Sequence, residues 1–128
     1  MRLKEIMTTP VAIISPRASI RTAEHRLKAK RLHHLVVVEG KAVVGLVTAA
    51  SLKDRAAEGA SHVEDAMIRN ITVLNPEMTV GDAAALMMPD HPQTAVPVVR
   101  GNRLVGIVTV SDLLNLAGHV DDQHAALR

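Results

Sequence analysis

The 128-residue chain contains no phenylalanine, tyrosine or tryptophan. Its core must be assembled from Val, Ile, Leu, Ala and Met, and no ligand base can be stacked on an aromatic ring. Single-strand nucleic-acid modules depend on such rings, so that class loses its main device. Cysteine is absent as well, which excludes disulfides, thiol nucleophiles and thiolate metal sites. No apolar run approaches the ~20 residues of a membrane span, and the N-terminus lacks the apolar stretch of a signal peptide. Neither sign of charge dominates: 15 Lys and Arg face 13 Asp and Glu, a formal charge of +2. With no basic block, nucleic acid is not an expected partner. A soluble cytoplasmic protein, with no membrane partner, is the expectation.

Motifs of catalysis are missing too. The chain has no GxGxxG, no phosphate loop ending in Gly-Lys-Ser/Thr, no Gly-x-Ser-x-Gly elbow and no HExxH. Nothing assembles a nucleophile, a base and an oxyanion hole, so no catalytic residue is named and an enzyme is not expected. His33 and His34 are adjacent and would point to opposite faces of a strand, so they cannot share a metal. His91, His119 and His124 fall in loops or the tail. No metal site is expected. Met67, Met78, Met87 and Met88 read as packing filler.

What the chain does have is a repeat. Met7 matches Met67, Pro16 matches Pro76, Ile20 matches Val80 and Ala23 matches Ala83, at a spacing of 60. Gly40 then matches Gly101, Gly45 matches Gly106 and Thr48 matches Thr109, at a spacing of 61. The added residue falls near Pro89-Asp90-His91-Pro92. Two copies with so long a period indicate a duplicated domain rather than a solenoid. The boundaries read as 1–61 for the first copy with its lead-in, 62–118 for the second, and 119–128 for a tail.

Each copy reads strand, helix, strand, strand, helix. In the first, Leu3 to Met7 is a short helical lead-in and Val11 to Ile14 a strand. Ser19 caps a helix to about Arg31, with Ile20, Ala23 and Leu27 on its inner face. Leu35 to Val38 and Ala42 to Thr48 form a hairpin around Glu39-Gly40-Lys41, and Ser51 starts a helix that fades at Gly59. In the second, His62 to Met67 is the lead-in and Ile71 to Leu74 the strand. The stretch from Thr79 to Asp82 has the form of a capping box opening a helix to Met88. Val96 to Val99 and Arg103 to Thr109 form the hairpin, and the last helix runs from Asp112 to Ala117, ending at Gly118. A lone copy would be marginal on buried area, so the two are expected to pair through their sheets. The fold class is α/β (α+β).

The stretch Gly106-Ile107-Val108-Thr109-Val110-Ser111-Asp112 concentrates the chemistry. A buried strand ends at a hydroxyl and feeds a helix opening on a carboxylate, which gathers donors and acceptors at one point. Such a junction suits a small phosphate-bearing ligand. The bland alternative for Asp112 is that a first-turn acid stabilises its helix by ~0.3–1 kcal/mol with no ligand at all. Arg69, Arg100 and Arg103 could reach a polyphosphate, as could one of His33 and His34, though turn and linker arginines are usually just solvated.

These residues resemble a tandem pair of CBS (cystathionine-β-synthase-type) domains, the arrangement called a Bateman module. The likeness runs from about Leu3 to Leu116. It rests on Met7-Thr8, Pro16, Ala23, Leu35 to Val38 and Gly45 to Thr48, and on Met67, Pro76, Ala83, Val96-Pro97-Val98-Val99 and Gly106 to Leu113. The resemblance implies that clefts between the paired domains take AMP, ADP, ATP or S-adenosylmethionine as a regulatory ligand, with no cofactor required. It puts the ribose on Asp112 and the phosphate near Thr109, with Ser111 between them also counted as ligand-binding. The adenine falls to Asn70, Ile71, Thr72 and Val73 and to Val96 and Pro97. A carboxylate accepting from two ribose hydroxyls makes charge-assisted bonds, stronger than neutral ones. The first copy departs from the pattern. It has Thr48 but carries Ser51 where the second has Asp112, and Asp54 lies a helical turn too far along. One competent cleft is therefore expected, with the Thr48–Ser51 cleft weak or vacant.

Two functions remain open on the sequence. The first is a stand-alone adenosine-compound sensor that signals to an unknown effector protein, with a homodimer formed through free helix faces. The second is a structural homodimerisation module whose nucleotide site has decayed.

Overall fold

The structure is a computed structural model and describes residues 1–87 and 93–116. Pro89 to Pro92, the helix ends expected at Met88 and Gly118, and the tail with His119 and His124 lie outside the described residues.

The elements follow the repeat. They are α1 (Leu3–Ile6), β1 (Ile13–Ile14), α2 (Ile20–Ala29), β2 (His34–Glu39), β3 (Ala42–Thr48) and α3 (Ala49–Ala57), then α4 (Val63–Ala66), α5 (Val80–Leu86), β4 (Ala95–Arg100) and β5 (Arg103–Thr109). Residues 110–116 are helical and are called α6. Ser19 caps α2 by accepting from the Thr22 N–H, and Thr79 caps α5 by accepting from the Asp82 N–H. Helix α2 stops short of Arg31, which has turned to φ 53°. Both hairpins turn at glycines with positive φ, Gly40 and Gly101, where a side chain would be strained.

The chain forms two compact units. One comprises Val11–Ile71 with Asn102–Leu104, and the other comprises Met1–Pro10, Thr72–Gly101 and the chain from Val105. Each has its own core, built from matching positions. Ile14, Ile20, Ala23, Leu35, Val37, Val47 and Leu52 serve one. Leu74, Val80, Ala83, Val96, Val98, Val108 and Leu113 serve the other.

The lead-ins are exchanged. Leu3, from the N-terminal lead-in, is fully buried in the core of the second repeat, and Val63, from the second lead-in, is fully buried in the core of the first. Thr8 bridges to Ile107 on β5, and Ile68 bridges to Leu46 on β3. Glycine makes this close approach possible. A Cβ on Gly106 would lie 2.6 Å from Met7 Cγ, and one on Gly45 would lie 2.8 Å from Met67 Sδ and 3.0 Å from the Ile68 carbonyl. The methionines and glycines that mark the repeat in the sequence are thus partners across it, Met7 with Gly106 and Met67 with Gly45.

In the first repeat β1 runs parallel to β2 and β2 antiparallel to β3, with Ile13 opposite Val36 and Ile14 opposite Val37. The second repeat keeps β4 and β5 as a two-stranded sheet. The strand expected over Ile71 to Leu74 is reduced to one parallel bridge, Leu74 to Val98. The cause is a proline. In the first repeat the Val36 N–H donates to the Ala12 carbonyl at 3.1 Å. The matching donor in the second repeat would come from Pro97, which has no N–H.

Candidate functional site

The junction after β5 is a capped helix start. Thr109 Oγ1 accepts from the Asp112 N–H at 3.1 Å, which makes Thr109 the cap and puts Asp112 three positions into the first turn. The sequence pattern starts this helix at Asp112 and the earlier one at Ser51; in the structure both start two residues sooner. Thr48 is the N-cap of α3, and Ala49 its first residue. A threonine hydroxyl at the end of each strand meets the orphan N–H groups first, so Ser51 and Asp112 fall inside the turn.

At these matching positions the two repeats differ. Ser51 Oγ accepts from the Thr48 N–H at 2.9 Å and lies 3.1 Å from the Thr48 carbonyl, while Thr48 Oγ1 accepts from the Ser51 N–H at 3.0 Å. This reciprocal capping box consumes the serine hydroxyl. Asp112 is exposed, as is Ser111, and among the described residues no hydrogen bond reaches the Asp112 carboxylate. It stands in the first turn of a helix with its acceptors open to solvent. Ser51 also lines an open cavity of about 540 Å³, which it shares with Asp54, Glu64, Asp65 and Arg69. Arg55 lines it too, so three carboxylates are set against two arginines around that space.

A network within one unit draws several of the expected site residues together. The Val110 N–H, at the start of α6, donates to the Thr94 carbonyl at 2.9 Å. Next to Thr94, the buried Gln93 side chain reaches across to Thr72. Its Oε1 accepts from the Thr72 N–H at 2.8 Å, and its Nε2 donates to the Thr72 carbonyl at 2.9 Å and to the Ala95 carbonyl at 2.9 Å. The Leu74 N–H donates to the Pro97 carbonyl at 3.0 Å. Thr72, Val73, Pro97 and the Thr109–Asp112 turn are thereby tied to one short stretch, 93–97. Val73 is 45% exposed, an apolar side chain left facing solvent, whereas Val96 is fully buried in the core. Asn70 takes φ 56°, a left-handed conformation that asparagine tolerates better than most residues.

Gln93 was missed in the sequence. Its signal was there: a proline inside a strand leaves a carbonyl opposite without its donor, and a buried amide two residues before that strand can supply one.

The basic candidates are largely engaged elsewhere. Arg69 donates to the Glu64 carbonyl at 2.9 Å. Arg100 pairs with Glu77 at 3.3 Å, and Lys4 pairs with the same carboxylate at 3.1 Å. The hydrogen bond from Lys4, with the charges of Lys4, Arg100 and Arg2, holds Glu77 below the usual carboxylate range. Arg103 is exposed at the start of β5, in the other unit from Asp112. His34 opens β2 opposite Thr48. Its partial burial, and then the charge of His33, lower its pKa. The two rings lie edge to face with centroids 6.3 Å apart.

Among the described residues no helix is long and apolar enough to cross a membrane, and no group of three or more His, Asp or Glu side chains could hold a metal ion. The CBS domain profile matches the chain twice, over residues 3–58 and 63–119. The chain belongs to the CBS-domain family. A CBS domain-containing protein of Bacillus subtilis, YhcV, is 33% identical over 115 residues, covering 87% of this chain and 81% of that protein. The homoserine O-acetyltransferase of Methanococcoides burtonii is 37% identical over 116 residues, covering 89% of this chain but only 24% of that protein. Among solved structures, the CBS domain pair of protein MJ0100 in complex with 5′-methylthioadenosine and S-adenosyl-L-methionine superposes with a TM-score of 0.81. It is 29% identical, covering 93% of this chain and 97% of that one. The mixed α and β architecture is that of a CBS pair.

Proposed function

We propose that the second CBS repeat binds an adenosine compound, AMP, ADP, ATP or S-adenosylmethionine, and that binding regulates a partner protein. The carrying observation is the exposed, unengaged Asp112 carboxylate beside the Thr109 cap, set against the Ser51 hydroxyl that its own helix consumes. A free carboxylate in a helix's first turn can accept from both ribose hydroxyls, and the turn's N–H groups favour phosphate oxygens. The exposed Val73 offers apolar surface to a base. The MJ0100 pair, crystallised with two adenosine compounds, supports the ligand class. A second copy of the chain and an effector protein complete the reading. The exposed Leu86 and Leu114 on α5 and α6 give a dimer some apolar surface to cover.

The structural-module reading draws on the same turn, because an acid there also stabilises α6 unaided. Thermal unfolding with AMP, ADP, ATP, S-adenosylmethionine and GTP at ~1 mM separates the two. A ligand with a dissociation constant near 10 μM adds about 2.7 kcal/mol by mass action, several degrees for a domain this size. The sensor gives a shift for at least one adenosine compound, lost in Asp112→Ala. Flat traces for every compound sink it and leave the structural dimer.

A further inference from the structure

Gln93 occupies a place that a ligand-free account of the fold explains only in part. The matching position in the first repeat is Leu32, also two residues before its strand, and there the strand supplies the bond itself through the Val36 N–H to the Ala12 carbonyl at 3.1 Å. In the second repeat Pro97 withholds that donor. Gln93 then bonds both backbone polar groups of Thr72, and its Nε2 is anchored back to Ala95. A plain strand pairing would hold the segment over several residues. Here one side chain, itself only 5% exposed, takes over the pairing at Thr72. Strand bonding resumes at Leu74, whose N–H donates to the Pro97 carbonyl and whose carbonyl accepts from the Val99 N–H; the exposed Val73 lies between the two.

We propose that Gln93 is a positioning residue for ligand binding. It fixes the Thr72 peptide so that Val73 is presented beside the Thr109–Asp112 turn at a set distance, and it does so from the stretch that also receives the Val110 N–H. Base-holding segment and ribose-holding turn are then registered against one another through residues 93–95. This rests on the reading that residues 72–73 and Asp112 belong to one adenosine site. Gln93 itself touches no ligand; it acts through Thr72.

The test uses the full chain, with S-adenosyl-L-methionine and 5′-methylthioadenosine as probes, titrated well below the melting temperature, and amide exchange at Thr72 read without ligand. Gln93→Leu installs the first repeat's residue and removes these three bonds. Its Thr72 amide should exchange faster, and affinity for whichever probe the wild type binds should fall about tenfold, as two or three lost hydrogen bonds would give. Adding Pro97→Val returns a strand donor to the Thr72 carbonyl, so the double variant should recover part of the affinity, while the Thr72 N–H, whose acceptor is Gln93 Oε1, stays fast-exchanging. Should Gln93→Leu fail to fold, Gln93→Met keeps the length of the side chain while losing its hydrogen bonds, and should show the same faster exchange and weaker binding. Unchanged affinity in a folded Gln93 variant overturns the proposal and leaves the adenosine site standing. A wild type that binds neither probe nor any adenine nucleotide overturns the site itself, and Gln93's role with it.

Discussion

The two CBS repeats share a plan and differ at the points where a ligand would be held. Their cores match position by position, from Ile14 and Leu74 to Leu52 and Leu113. At the helix start after the hairpin, one repeat carries a serine that closes its own capping box, and the other an aspartate with open acceptors. At the first strand, one makes a parallel ladder and the other keeps a single bridge, Leu74 to Val98, and draws the bond to Thr72 from a glutamine side chain. Packing is therefore the duplicated property, while polar chemistry has diverged. At this helix start the first repeat spends its serine hydroxyl on its own cap, and the second leaves its carboxylate open.

The largest expected effect tests the shared part. Gly106→Ala drives a Cβ to 2.6 Å from Met7 Cγ and 2.9 Å from Met7 Cβ, close to the backbone, where a rotamer change gives little relief. Gly45→Ala meets the tip of Met67 and the Ile68 carbonyl at 3.0 Å. Both should destabilise by about 1–3 kcal/mol, the usual cost of overpacking. Gly106→Ala should cost more, and much less in a Met7→Ala background. Denaturant unfolding of the four variants measures this. If Met7→Ala leaves the Gly106→Ala cost unchanged, the exchanged lead-in is not what the glycine accommodates.

A smaller pair of changes tests the divergent part. Ser51→Ala removes the acceptor for the Thr48 N–H and half of a capping box, which should cost about 1 kcal/mol without ligand. Asp112→Ala removes only a charge near a helix N-terminus, about 0.3–1 kcal/mol. Ligand-free urea unfolding should therefore rank Ser51→Ala as the more damaging. The reverse order would mean that the carboxylate caps its helix after all, and would favour the structural module.

Much of this was legible in the sequence, for identifiable reasons. The repeat offset locates both hairpins, and β3 and β5 run as read, because β-branched runs between turn glycines specify them strongly. Helix starts were misplaced by two residues because Thr48 and Thr109 satisfy both a strand end and a cap, and periodicity does not separate those roles. The strand over Ile71 to Leu74 failed because its partner's missing donor lies more than twenty residues away, at Pro97. The exchange of lead-ins was invisible for a related reason. Matching Met7 to Met67 and Gly45 to Gly106 shows likeness between copies, and likeness does not say which methionine covers which glycine.

The smallest expected effect concerns a group only the first repeat possesses. His34 opens β2 where the second repeat has the fully buried Ala95. Its pKa is lowered in the fold by burial and by His33, so the folded state binds fewer protons than the unfolded chain, whose histidine titrates near 6.5. Stability linked to this group is complete above that value and is lost as pH falls through it toward the lower folded pKa. Unfolding followed at several pH values from about 7.5 down to 5 should show a decline that His34→Gln reduces. The decline should begin below about 6.5, before the window in which Glu77, held low by Lys4, begins to lose its own small contribution. Were His34→Gln to leave the profile unchanged, the acid sensitivity would have to come from groups common to both repeats. The contrast at this one position, a titrating His34 against the apolar Ala95, would then carry no consequence for stability.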